Sequence, residues 1–115
     1  MDKLVKLAER CEAADSNFDA LFMEAFEAVF GGRKSLGLQW SKFCAMLDAE
    51  AYESAALMLV PGGAVWCAQR NPDGTAMCLT LKSCAEAATP ALAIIAAALR
   101  AIAARGLKIV KEHLK

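Results

Sequence analysis

The side chains best suited to chemistry are five cysteines, Cys11, Cys44, Cys67, Cys78 and Cys84, and a single histidine, His113. The cysteine count is odd, no C-x-x-C occurs, and no histidine lies near any of them. That pattern predicts reduced thiols in a cytosolic protein rather than a disulfide framework or a zinc site. Cysteine is among the most buried residue types, so most of the five read as small core residues. His113 stands close to the C-terminal residue, where chains fray, and reads as an incidental surface side chain. Without a second histidine there is no His-based metal cluster and no Cys–His dyad. Gly31-Gly32 and Gly62-Gly63 each follow a helical pattern, whereas phosphate loops precede one. Asp48 and Glu50 are spaced for opposite sides of a helix. The expectation is a protein with no catalysis of its own, no metal and no cofactor.

Charge is balanced overall, with 13 Lys and Arg against 13 Asp and Glu, but the signs are segregated. Residues 11–32 carry Glu12, Asp15, Asp19, Glu24 and Glu27 and no cation. Residues 98–115 carry Arg100, Arg105, Lys108, Lys111 and Lys115 against Glu112 alone. The plainer reading is two solvated helix faces that attract each other within one molecule. The functional reading is a basic strip for a nucleic acid or an acidic partner, with Arg100, Arg105, Lys108, Lys111, Arg33 and Lys34 as the candidate contacts. Zero net charge weakens the nucleic-acid version, because an electrostatic DNA binder is usually basic overall.

These residues must be positioned by a chain that is 57% hydrophobic and 115 residues long, enough for one domain with a modest core. The longest apolar run, residues 91–99, falls well short of the roughly 18 residues a membrane span needs. The N-terminus is charged on every turn and lacks a signal-peptide core, so a cytoplasmic location is expected. A first helix is predicted over residues 2–14, with Leu4, Leu7, Ala8 and Cys11 on one side. Asp15, Ser16 and Asn17 then offer consecutive capping side chains for a second helix over 18–30. Its stripe is Phe18, Leu21, Phe22, Ala25, Phe26 and Val29, and Gly31-Gly32 ends it. Residues 40–47 fit a helix or a short strand, with helix preferred. Residues 49–60 read as a helix stopped by Pro61-Gly62-Gly63.

The β signal lies in residues 64–70 and 75–81, which flank Asn71-Pro72-Asp73-Gly74. If those four residues form the turn, facing pairs are Val65–Thr80, Trp66–Leu79, Cys67–Cys78 and Ala68–Met77. Directly opposed Cβ atoms lie about 4.5–5.5 Å apart, marginally long for an unstrained disulfide. Cys67 and Cys78 then read as adjacent thiols, with a redox switch as the alternative.

Thr89 and Pro90 make a strong helix start, an N-cap oxygen followed by a residue that has no amide to satisfy. The helix they open is apolar on nearly every side, so it must be covered on more than one face. Beyond Gly106, Leu107, Ile109, Val110 and Leu114 with Lys108, Lys111 and Lys115 form a basic amphipathic tail. That tail would pack on the body or on a second copy. The predicted class is therefore α+β, a small, mainly antiparallel sheet centred on the 64–81 hairpin and packed by four to five helices. The single domain 1–115 divides into a helical part (1–47), a helix–hairpin–helix part (49–105) and the tail (106–115), with the alanine-rich helix buried.

Two segments in order, LVPGGAVW at 59–66 and AATPALAIIAAALRA at 87–101, resemble the phage ABA sandwich domain. The resemblance spans residues 52–105. This chain has Gly63-Ala64 where the family tends to place an acidic residue and a tryptophan, and it retains Trp66. The resemblance implies a phage or prophage accessory protein and supplies no catalytic or ligand residues. The expected function is protein–protein binding to a host or phage partner, in its sharper form inhibition of a host defence system of the anti-CRISPR type. A homodimer is compatible with this reading, and a membrane role is not expected. The alternative is a nucleic-acid-binding or regulatory module that uses the basic C-terminal helix.

Overall fold

The computed structural model describes residues 2–31, 37–60, 66–80 and 83–105, with the side chains of Asp2 and Arg105 left aside. Among these residues the order is α1 (Asp2–Ala13), α2 (Asp19–Phe30), α3 (Gly37–Asp48), α4 (Tyr52–Leu57), β1 (Trp66–Arg70), β2 (Ala76–Thr80), β3 (Ser83–Ala87) and α5 (Pro90–Arg105). The chain is α+β, with five helices and a three-stranded antiparallel sheet of order β1-β2-β3.

The start of α5 is built as its sequence predicts. The Thr89 hydroxyl oxygen accepts the Leu92 amide at 3.2 Å, and the Thr89 carbonyl accepts the Ala93 amide. The same hydroxyl donates to the Asn17 side-chain oxygen at 2.6 Å, which ties the α1–α2 loop to the head of α5. Asn17 is thus spent on a distant helix. Phe18 holds the N-cap position of α2 without any side-chain cap bond. At the other end of α2, Gly31 adopts the left-handed conformation (φ 76°) and its amide bonds the Glu27 carbonyl.

Each residue from Ala91 to Leu99 is buried, as are Ala101 and Ile102. Helix α5 touches every strand on one side and α1, α2 and α4 elsewhere, so it is the common wall of the core. Its alanines allow that, since small side chains let several backbones approach one helix. Beside it lies an aromatic cluster centred on Phe26, whose ring centroid is 4.6 Å from Phe30, 4.9 Å from Phe43 and 5.2 Å from Trp40. Trp40 and Phe43 place α3 in this cluster, which resolves residues 40–47 as helix.

Three expectations need correcting. The hairpin register is shifted by one residue: Trp66 faces Thr80, Cys67 faces Leu79, Ala68 faces Cys78 and Gln69 faces Met77. The reason is the turn. The Asn71 amide bonds the Thr75 carbonyl at 2.7 Å, so only Pro72, Asp73 and Gly74 form the loop, with Gly74 at φ 93°. Asp73 accepts both the Thr75 amide and hydroxyl, which holds its carboxyl below the usual range. Second, the sheet gains β3, which pairs with β2 along its length. Third, α4 starts at Tyr52 because residues 49–51 close α3 instead. The Glu50 amide bonds Leu47 and the Ala51 amide bonds Met46, a Schellman closure with Glu50 at φ 57°. A side chain in that region costs roughly 1 kcal/mol relative to glycine. Glu50→Gly should therefore raise unfolding stability by about 1 kcal/mol, read as a higher urea midpoint at unchanged slope.

Candidate functional site

Of the residues that the sequence offers as contacts, Arg100 is the one whose side chain is described. Arg100 is turned inward. Its guanidinium makes a two-pronged pair with the Glu12 carboxylate, Nε to Oε2 at 2.9 Å and Nη2 to Oε1 at 2.5 Å, both partly buried. That hydrogen bond raises the Arg100 pKa further above its ordinary value. The attraction between the acidic and basic segments is, at this pair, an internal clamp of α5 on α1. The Arg105 side chain and Arg33, Lys34, Lys108 and Lys111 lie outside the described residues, as do the Pro61 stop and the 106–115 tail.

Among the described residues no group of three or more His, Cys, Asp or Glu side chains could hold a metal ion. No described helix is long and apolar enough to cross a membrane. The three cysteines of the sheet are divided by the pleat. Cys78 points to the buried face of β2, between Ala68 and Ala85, and burial pushes its thiol up to about 11, with Cys67 and Cys84 adding to the shift. Cys11 is pushed up to about 11 by burial as well, against the opposing pull of Arg10. Cys67 and Cys84 occupy the other face, exposed, on either side of Leu79. Two strand spacings separate them, about 10 Å, so they cannot bridge each other. The expected Cys67–Cys78 adjacency disappears with the register shift.

Alkylation at pH 8 should therefore mark Cys67 and Cys84 promptly and leave Cys11 and Cys78 protected until the chain unfolds. At that pH a thiol of pKa about 11 is ionised in roughly one molecule per thousand. Peptide mass mapping reads the difference. Both raised values also favour the fold below the ordinary thiol pKa of 9.0, a contribution lost as pH rises through about 11. Stability should fall over that alkaline window.

Among the described residues, two surfaces bear most on a partner. One is the outer sheet face, where Leu79 is 48% exposed between Cys67 and Cys84. The other is larger, a groove of about 1060 Å³ along the seam of α1 and α2. The two helices are antiparallel and joined by a short loop. Near the joined end Arg10 crosses the seam to Glu24, Nη1 to Oε2 at 2.5 Å, and that bond raises the Arg10 pKa. Toward the other end the groove runs over Leu4, Leu7 and Ala28 to Gly31, with Lys3 and Lys6 on the α1 rim and Glu27 on the α2 side. Sequence periodicity assigns Leu4 and Leu7 to a core face, and Leu7 is indeed 5% exposed. The groove itself depends on the separation of two helices, which periodicity does not encode. A smaller hollow of about 290 Å³ lies at the heads of α4 and α5, where Asn17 is engaged by Thr89 and Tyr52 donates to Asp19 at 3.0 Å. Compared with known proteins, the chain matches no family model, no curated protein and no solved structure.

Proposed function

We propose that this chain is a small phage or prophage accessory protein that acts by binding another protein and performs no catalysis itself. The observation that carries the binding reading is the α1–α2 groove, an open channel in which Leu4, Leu7 and Ala28 lie between charged side chains of both helices. Recessed apolar surface with a polar rim is how one protein receives another. The phage origin rests on the LVPGGAVW and AATPALAIIAAALRA segments. In its sharper form the proposal is inhibition of a host defence system of the anti-CRISPR type, which needs only a tight, non-chemical contact. The nucleic-acid alternative loses Arg100, whose guanidinium is already occupied by Glu12.

The deciding experiment expresses the chain in a host whose CRISPR immunity targets an infecting phage. Restored plaque formation, with a defence protein co-purifying at fixed stoichiometry, is the expected result. Unchanged immunity across the defence systems tested, with no specific protein retained, overturns it.

A further inference from the structure

We propose that the open edge of β1 is a contact between two copies of this chain, paired antiparallel about a two-fold axis at Ala68. The inference goes beyond the protein-binding reading above and does not depend on it. In the sheet order β1-β2-β3, strand β1 has a neighbour on one side only among the described residues. Its ladder to β2 is unbroken from Trp66 to Arg70, so no bulge turns the edge away. The strand, WCAQR, also lacks the proline or lysine that blunts many edges.

The turn decides which backbone groups face that edge. Asn71 and Thr75 close the hairpin as a hydrogen-bonded pair. Antiparallel partners alternate between bonded and non-bonded pairs, so Gln69–Met77 and Cys67–Leu79 are bonded. Arg70–Ala76, Ala68–Cys78 and Trp66–Thr80 are then the non-bonded pairs. The amides and carbonyls of Trp66, Ala68 and Arg70 therefore point away from β2. An axis at Ala68 engages all three: Ala68 pairs with Ala68 of the second copy, and Trp66 with Arg70 of the second copy. Each such pair exchanges both of its backbone bonds. An axis at Cys67 leaves Arg70 without a partner in the strand, and one at Gln69 leaves Trp66 without one.

The side chains favour the same register. Opposed residues share a face, so the indole of Trp66, 43% exposed, lies beside the exposed guanidinium of Arg70 of the second copy. Neither side chain takes part in a hydrogen bond, ion pair or ring contact among the described residues. With zero net charge, two copies also meet without overall repulsion.

A five-residue edge is a small contact, so the pairing belongs to the weak, concentration-dependent class and is tested by sedimentation equilibrium from about 10 μM to about 1 mM. In reductant, the mass should rise with concentration from 12.2 kDa toward twice that value. Ala68→Pro should weaken association at least about thirtyfold, because it removes the central outward amide and fills the edge. That amide is not bonded to β2, so the monomer should keep its circular dichroism spectrum. Arg70→Gln, a milder change at an exposed position, should weaken association about tenfold over the two symmetric pairs. The register has its own readout. Cys67 faces Gln69 of the second copy, so Gln69→Cys with oxidised glutathione should give a covalent dimer linked from Cys67 to position 69, read by peptide mass mapping. The wild-type chain should not link through Cys67. A monomer at the highest concentration, which leaves the edge to another protein or to none, overturns the proposal. So does a dimer indifferent to Ala68→Pro, or a wild-type bridge between the two copies of Cys67.

Discussion

Replacing Phe26 by alanine is expected to lower the unfolding free energy by about 4 kcal/mol. Phe26 is fully buried and its ring meets Phe30 on its own helix and both Trp40 and Phe43 on α3. The loss has two parts, the transfer energy of the ring and the void it leaves. Its neighbours cannot close that void cheaply, because the rings that border it come from two separate helices. A domain of this size has roughly 5–15 kcal/mol of stability in total, so the substitution removes a large fraction of it. Urea unfolding followed by far-UV circular dichroism measures the effect. A change below about 1 kcal/mol would mean that the aromatic cluster is not the packed core described. Tryptophan fluorescence adds a local readout, since Trp40 sits against the deleted ring and should shift to the red.

Enlarging a buried alanine of α5 is the converse case. Ala97→Leu should destabilise by about 3 kcal/mol, through overpacking rather than through a cavity. Ala97 is fully buried in a helix that touches the sheet and three other helices, so added methyl groups have no free side to turn toward. Leucine is itself a good helix former, which removes intrinsic propensity as an explanation. The control is Ala104→Leu in the last turn, where the side chain is exposed and the change should stay within about 0.5 kcal/mol. Equal effects at the two positions would contradict the placement of α5 as an internal wall.

The parts of this fold that are legible from the residues are those set by local chemistry. Thr89-Pro90 opens α5 and Gly31 closes α2, because each motif satisfies its own helix end within a few residues. The hairpin is legible as a hairpin, yet its register is not. Asn71 can serve as a turn residue or as the last paired one, and only its 2.7 Å bond to Thr75 decides. That single residue moves every partner by one position and separates Cys67 from Cys78. Strand β3, with the sequence SCAEA, has little intrinsic β preference and owes its conformation to the β2 edge and to α5 behind it. The caps show the same division. Asn17 is well suited to cap α2, but its side chain is taken by Thr89, 72 residues away. The candidate groove belongs to the illegible part, since Leu4 and Lys3 look alike in sequence whether α1 and α2 are pressed together or held apart. Arg100 marks the limit for charge, because a cation counted for a partner is satisfied by Glu12 inside the molecule.

The position of α5 also governs when the molecule can exist during its own synthesis. Translation delivers α1 to α4 and the sheet before it delivers the helix that all three strands and α1, α2 and α4 pack against. Until Pro90–Arg105 has left the ribosome, the inner sheet face and the flank of α1 that carries Glu12 have nothing to rest on. Nascent chains arrested before Pro90 should be degraded quickly by a protease that spares the finished protein. Folding of the described core therefore waits until α5 has been made.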